Sequence, residues 1–175
     1  VTLTGTQRPA AGTYTDAITP AGVRIVNASN QDVTSKYLIT ADSYYKGDLT
    51  IHKKGNGRPD GSGGEQPMEI YAEDQTYTYD GTPKGTFGSN LANTGHSLAT
   101  AIQLVPGHRL SVITLTGTQR TAEGVYTGAI TPSAARIVDA GGTDVTVNYL
   151  INTGTSYYPG TLRINPREAG YPIVI

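Results

Sequence analysis

Hydrophobic and polar residues alternate along short segments of this chain, which is the pattern of half-buried β-strands. Residues 68–72 read Met-Glu-Ile-Tyr-Ala, and residues 162–164 place Arg163 between two apolar side chains. Glycine, proline or asparagine separates such segments every ~8–12 residues, a spacing typical of β-sandwiches. The pattern therefore predicts an all-β, Ig-like sandwich.

Three stretches refine this prediction. Residues 76–79 alternate Thr with Tyr up to an Asp80-Gly81 turn, which indicates a second strand soon after the first. Val112 and Ile113 are adjacent apolar residues within one strand, which predicts a bulge or burial on both faces. Residues 97–102, Ser-Leu-Ala-Thr-Ala-Ile, also fit a short helix. A β-grasp-like arrangement with one helix on a sheet therefore stays open as an alternative.

The chain contains an internal duplication. The segment that begins at Val1, Val-Thr-Leu-Thr-Gly-Thr-Gln-Arg, returns from Ile113 as Ile-Thr-Leu-Thr-Gly-Thr-Gln-Arg. The match continues without a gap to residues 39 and 151, and about 25 of these 39 positions are identical. After a one-residue insertion, Tyr44-Tyr45 matches Tyr157-Tyr158. The unit has been duplicated, so the copies should share one local structure.

The duplication sets the predicted domain boundaries. Residues 55–67 are rich in Gly and Pro and lack a strand pattern, so they read as a flexible linker. Residues 68–112 have no counterpart in the first copy. We therefore predict a complete Ig-like repeat over 68–166 and only the C-terminal half of such a repeat over 1–54. Residues 167–175 are either a linker or the start of a next module.

Composition narrows the function classes. The formal net charge is −1 and no basic run occurs, so nothing predicts binding to a phosphate backbone. The chain has no cysteine, which excludes disulfides, thiolate metal sites and a cysteine nucleophile. No apolar stretch approaches the ~18 residues of a membrane helix. The core must be built from Val, Ile, Leu and Tyr, since there are 12 Tyr but one Phe and no Trp.

The order of the motifs resembles a known family. The run Thr-Tyr-Thr-Tyr-Asp-Gly-Thr at 76–82 is followed by further motifs at 107–108, 114–119, 144–146, 148–151 and 159–164. In this order they resemble the YDG and MBG-type tandem repeats, Ig-like adhesin repeats of secreted or wall-anchored bacterial surface proteins. The resemblance covers nearly all of 68–165, and its second half covers 1–54 again. It implies an extracellular adhesion or stalk module, at the bacterial cell surface or secreted, and it brings no catalytic residues.

Acidic and histidine residues were the first candidates for chemistry. Four acids lie close in sequence, and they are Glu69, Glu73, Asp74 and Asp80. Two of them could form the carboxylate pair that sugar hydrolysis requires, although an ordinary solvated strand has the same pattern. The three histidines show no zinc-ligand spacing and read as surface or turn residues: His52, His96 and His108. Ser62 lies among the linker glycines and lacks the context of a nucleophile, so it reads as a spacer.

Two further segments contain candidate sites. Residues 139–144, Asp-Ala-Gly-Gly-Thr-Asp, suit a calcium loop or, more simply, a turn whose Asp side chains accept from backbone N–H groups. The equivalent loop at 27–32 has lost one carboxylate, which favours the turn. Lys84 is the only lysine of the complete repeat and is the candidate for an isopeptide cross-link, but Pro83-Lys84-Gly85 reads as an exposed turn.

The tyrosine pairs are the remaining candidates. Exposed aromatic rings stack on sugars, so Tyr44, Tyr45, Tyr157 and Tyr158 are candidate ligand contacts. Tyrosine is also the available large aromatic for the core, with its hydroxyl reaching the edge for a partner. Because both copies keep the pair, a structural role is the favoured interpretation.

The sequence thus predicts a non-enzymatic structural or adhesion module without a cofactor, with a glycan-binding module as the alternative. The expected partner is a host or neighbouring-cell surface ligand, a glycan among the candidates, reached through the parent protein. Neither nucleic acid nor direct membrane insertion is expected. A half-sandwich exposes strand edges and an apolar face. We therefore expect residues 1–54 to be completed by another chain or by strand exchange between copies, unless they form a smaller self-sufficient sheet.

Overall fold

A computed structural model describes residues 1–55, 66–92 and 98–167, and the chain divides into two compact units, Val1–Lys53 and Lys54–Ile175. The first unit is one antiparallel sheet in the order β1-β2-β3. Its strands and 3₁₀ turns are β1 (Thr2–Gly5), β2 (Gly12–Ala21), turns at Thr34–Lys36 and Ala41–Ser43, and β3 (Gly47–Ile51).

The second unit contains eight strands in its described part. They are β4 (Ile70–Ala72), β5 (Gln75–Thr78), β6 (Gly88–Ala92), β7 (Ala99–Ala101), β8 (Arg109–Thr116), β9 (Gly124–Val138), β10 (Tyr157–Tyr158) and β11 (Gly160–Asn165), with a 3₁₀ turn at Thr146–Asn148. No helix in the described part of the chain is long and apolar enough to cross a membrane.

These strands form two layers. One sheet has three strands in the order β10-β4-β7, and the other has five in the order β5-β11-β9-β8-β6. Strands β4 and β10 pack against β9, and β7 packs against β8, so the smaller sheet covers the larger one. The unit is an all-β sandwich, as the strand pattern predicted.

The chain enters the second unit through a strand that changes sheets. Strand β4 pairs in parallel with β10 in the small sheet, and β5 pairs in parallel with β11 in the large sheet. Residues 73 and 74 connect β4 to β5, so the chain passes there from the small sheet to the large one. Each of the first two strands of the unit therefore pairs in parallel with one of its last two strands.

The core of the second unit lies between the two sheets. The alternation at 68–72 is confirmed, because Met68 and Ile70 have no exposed surface and Ala72 is buried. Leu162 and Ile164 are buried while Arg163 is exposed, again as predicted. The remaining buried apolar residues that close this core are Ala99, Leu110, Ile113, Leu115, Ile130, Ile137, Val138 and Tyr149.

Two sequence expectations on strand detail have clear outcomes. The register between β8 and β9 shifts on both sides of Val112, which confirms the predicted bulge. The short helix at 97–102 is wrong for the residues described there, because Ala99–Ala101 is strand β7 and pairs with β4. This pairing removes the basis for the β-grasp alternative. Most of the predicted linker, including Ser62, lies outside the described residues, as does His96.

Candidate functional site

The most distinctive surface feature of the second unit is a pair of stacked tyrosines. Alternation along β4 turns Tyr71 outward, because its neighbours Ile70 and Ala72 fill the core. Parallel pairing with β10 then places Tyr158 beside it. The two ring centroids are 4.5 Å apart with planes 17° from parallel, and each residue keeps more than a third of its surface exposed.

A carboxylate borders this stack. The hydroxyl of Tyr71 donates to Glu69 Oε2 at 3.2 Å. Partial desolvation and this hydrogen bond to Glu69 raise the pKa of Tyr71. We call Glu69, Tyr71 and Tyr158 the aromatic platform. An aromatic face can stack on a sugar ring, and an adjacent carboxylate can accept hydrogen bonds from the hydroxyl groups of the sugar.

The four predicted tyrosines fall into different environments. Tyr157 is half-buried against the core, and its hydroxyl accepts from the Ala135 N–H at 3.0 Å. Tyr44 repeats that arrangement in the first unit, accepting from Val23 N–H at 3.4 Å. Tyr158 belongs to the aromatic platform. Tyr45 is 87% exposed, because residues 1–53 contain no counterpart of Tyr71 to stack on it.

The four acids considered for sugar hydrolysis are engaged separately. Glu73 accepts from the Thr100 hydroxyl, and Asp74 accepts from the Thr161 N–H at 2.6 Å. Glu69 accepts a hydrogen bond from the Tyr71 hydroxyl, and Asp80 accepts one from the Thr82 N–H of its own turn. A groove on the same unit is lined by residues other than these four acids, namely Glu123, Gly124, Val125, Arg163, Ile164, Asn165 and Pro166.

Three of the five Asp-x-Thr segments in the chain form the same clamp. In each copy the Asp carboxylate accepts from the N–H of the Thr two residues later, at 2.9 Å, and each Asp also pairs with a cation. The clamps are Asp32–Thr34 with Arg24, Asp80–Thr82 with Lys84, and Asp144–Thr146 with Arg136. Two of these three segments belong to the family motifs noted in the sequence, but the spacing alone does not predict the clamp, because it also occurs at 48–50 and 74–76.

The clamps lower the pKa of their carboxylates. The Thr146 hydroxyl and N–H, with Arg136, lower the pKa of Asp144 to about 2. Lys84 and then Thr82 hold the pKa of Asp80 well below its usual range. These carboxylates are held as anions by hydrogen bonds and cations that also close turns.

The loop at 139–144 closes as a turn. Asp139 Oδ1 accepts from the Thr143 N–H at 2.8 Å, and the Asp139 N–H donates to the Thr143 carbonyl at 3.0 Å. Asp144 is occupied by its clamp. No group of three or more His, Cys, Asp or Glu residues suited to a metal ion occurs among the described residues.

His108 lies in a turn, as predicted, but packs on a buried residue. Its Nδ1 is 2.7 Å from the hydroxyl of Tyr149, which also accepts from the Val105 N–H at 3.1 Å. Burial raises the pKa of Tyr149. This corner ties the 105–108 turn to the core, and its partners were not evident from the sequence. His52 is on the exposed surface after β3.

The exposed turn predicted around Lys84 is wrong. The side chain of Lys84 is only 16% exposed, and its Nζ donates to Asp80 Oδ2 at 2.6 Å. The backbone of Lys84 exchanges hydrogen bonds in both directions with Arg120, which brings a second segment over the turn. The lysine therefore anchors the Asp80-Gly81 turn to the segment that follows β8.

Comparison with known proteins adds no relationship: the chain matches no family model, no curated protein and no solved structure.

Proposed function

We propose that this chain is a structural module, a stalk or spacer repeat of a bacterial cell-surface or secreted adhesion protein. The observation that carries the proposal is the pairing of the entry and exit strands of the second unit. Strand β5 runs parallel to β11 over four residue pairs, from Gln75–Leu162 to Thr78–Asn165. Strand β4, which precedes β5 in the chain, pairs in parallel with β10, which precedes β11.

This arrangement suits a domain that carries tension. Pulling on residues 67 and 166 drives β5 and β11 in opposite directions along their own axes. Their hydrogen bonds are then loaded together in shear, because the bonds of a parallel pair are evenly spaced along the strands. Several bonds must break before the strands separate, and this slows forced unfolding, which is governed by the unfolding rate.

Single-molecule pulling tests the proposal. The chain has no cysteine, so two introduced cysteines define the pulling points without ambiguity. One variant carries Pro67→Cys and Pro166→Cys and loads β5 and β11 in shear. The matched control carries Tyr79→Cys and Pro166→Cys, whose positions lie at the same end of the two strands, so the same bonds are peeled one at a time.

We expect the shear variant to unfold at a clearly higher force than the peeling variant at the same loading rate. Equal forces would contradict a load-bearing role for this strand pair. Urea unfolding of both variants is the control for equal equilibrium stability, since a destabilised variant would lower the force for an unrelated reason.

The second candidate function is glycan binding, which the aromatic platform favours. A glycan array with the complete chain, compared with Tyr158→Ala and with Tyr45→Ala as matched control, decides between the two functions. Binding that is lost in Tyr158→Ala and kept in Tyr45→Ala would support the platform. A blank array at high protein concentration would remove this candidate and leave the spacer function in place.

A further inference from the structure

The first unit has the local structure of the second half of the complete repeat. Strand β1 pairs with β2 as β8 pairs with β9, with Leu3 opposite Pro20 and Leu115 opposite Pro132. The register shift between β2 and β3 recurs between β9 and β11. The Tyr14 hydroxyl donates to the carbonyl four residues earlier at 2.9 Å, and the equivalent Tyr126 does so at 3.0 Å.

The same apolar positions that are buried in the second unit are uncovered in the first. No residue of 1–53 is buried. Leu3 is 66% exposed and Tyr37 56%, whereas their counterparts Leu115 and Tyr149 are 1% and 2% exposed. The first unit therefore has the sheet of a repeat without the layer that covers it.

An open apolar groove of about 290 Å³ marks the uncovered face. Its lining is mostly apolar and comprises Val1, Pro20, Val23, Ile25, Ile39, Ser43, Tyr44 and Tyr45. The counterparts of these residues in the second unit are Ile113, Pro132, Ala135, Ile137, Ile151, Ser156, Tyr157 and Tyr158. Of these, Tyr157 and Tyr158 form β10, which pairs with the entry strand β4.

The second unit shows what fills this groove. Met68 and Ile70 have no exposed surface and belong to the core cluster that holds Ile113 and Ile137. The Ile70 N–H donates to the Ser156 carbonyl at 2.7 Å, and β4 lies in register with β10. An extended segment with apolar residues at alternate positions is therefore the natural occupant.

The unpaired strand edges of the first unit also favour the addition of an extended segment. In the second unit β5 pairs with the outer edge of β11, and β6 pairs with the outer edge of β8. The equivalent strands β3 and β1 are the two edges of their sheet, and no described strand pairs with either outer edge. Unpaired edges present N–H and C=O groups that accept an added strand.

We propose that residues 1–53 are an acceptor for the N-terminal half of a further repeat, a polypeptide segment with the strand pattern of residues 66–112 that is not supplied by a second copy of this chain. Its counterpart of β4 fills the groove with apolar side chains, and its counterpart of β5 pairs in parallel with β3. The chain's own Met68 and Ile70 are already buried in the second unit. The occupant is therefore a further repeat half and not this chain's own β4.

A fusion protein tests the proposal with the full chain. Residues 66–112 are added directly before Val1, which corresponds to Ile113, so the order of a complete repeat is restored. The control fusion carries Met68→Asp and Ile70→Asp in the added segment only, because buried unpaired carboxylates prevent docking. Amide hydrogen exchange is followed by NMR at Ile25 and Val33.

We expect exchange at both amides to slow by at least about tenfold in the fusion and to stay unchanged in the control. Equal exchange in the fusion and the unfused chain would overturn the proposal. Sedimentation of the unfused chain gives a second arm. A monomer agrees with an acceptor that is open to a repeat half, whereas a strand-exchanged dimer would identify a second copy as occupant and overturn the assignment made here.

Discussion

The duplication offers a matched pair of substitutions that separates burial from local structure. Leu115→Ala and Leu3→Ala remove the same side chain from the same repeat position, opposite equivalent prolines. Leu115 is 1% exposed and Leu3 is 66% exposed. Because a buried leucine truncated to alanine loses its transfer free energy and leaves a cavity, we expect Leu115→Ala to cost ~2–5 kcal/mol.

That loss is a large fraction of the ~5–15 kcal/mol stability of an ordinary domain. At roughly 4 °C per kcal/mol, a loss of about 3 kcal/mol lowers the melting temperature of the second unit by roughly 12 °C. Leu3→Ala should change the stability of either unit by less than ~0.5 kcal/mol, as exposed substitutions do.

Urea unfolding followed by residue-resolved NMR measures both effects, because peaks from each unit report their own transition. The dependence of the unfolding free energy on urea should stay the same, so that a shifted midpoint reports stability alone. Equal losses for the two variants would refute the assignment of a closed core to the second unit only. So would a Leu115→Ala variant as stable as the parent chain.

Three further outcomes follow from single contacts. Asp144 has a folded pKa of about 2, below its ordinary 3.8, so its contribution is present above about pH 5 and is lost as the pH falls towards 2. The difference in urea midpoint between the parent chain and Asp144→Asn should therefore shrink over that range, and a constant difference would contradict it. Gly160→Ala should destabilise the second unit by ~1–3 kcal/mol in thermal unfolding, since a Cβ would lie 2.7 Å from the Ala72 carbonyl oxygen; an unchanged melting temperature would count against this packing. Tyr149→Phe should cost ~1–3 kcal/mol because it leaves the part-buried Val105 N–H without its acceptor and His108 Nδ1 without its partner, whereas Tyr37→Phe should cost nothing measurable by the same assay; similar effects at both positions would be incompatible with these contacts.

Sequence patterns captured what depends on one strand at a time. Alternation at 68–72 identified the buried side of β4, and the adjacent apolar pair at 112–113 marked the bulge in β8. The duplication also predicted that the two copies share their turns, which the paired clamps at Asp32 and Asp144 bear out.

Features that depend on which strands meet were not predictable in this way. Alternation along β4 says nothing about its partner, so the parallel pairing with β10 and the stack of Tyr71 on Tyr158 were missed. Lys84 looked exposed because its neighbours are Pro and Gly, yet a bridge to Arg120, 36 positions later, covers it. The alternative of a short helix at 97–102 is wrong for the same reason, since pairing with β4 decides the conformation of β7.

The central claim is that the second unit closes its own core while the first keeps the same sheet uncovered. Two amides with matched hydrogen bonds test it: Val33 donates to the Ile25 carbonyl at 2.8 Å, and Val145 donates to the Ile137 carbonyl at 2.9 Å. Hydrogen exchange of the unmodified chain should be orders of magnitude slower at Val145, because that bond opens only when its core unfolds. Equal exchange rates at the two amides would contradict the claim.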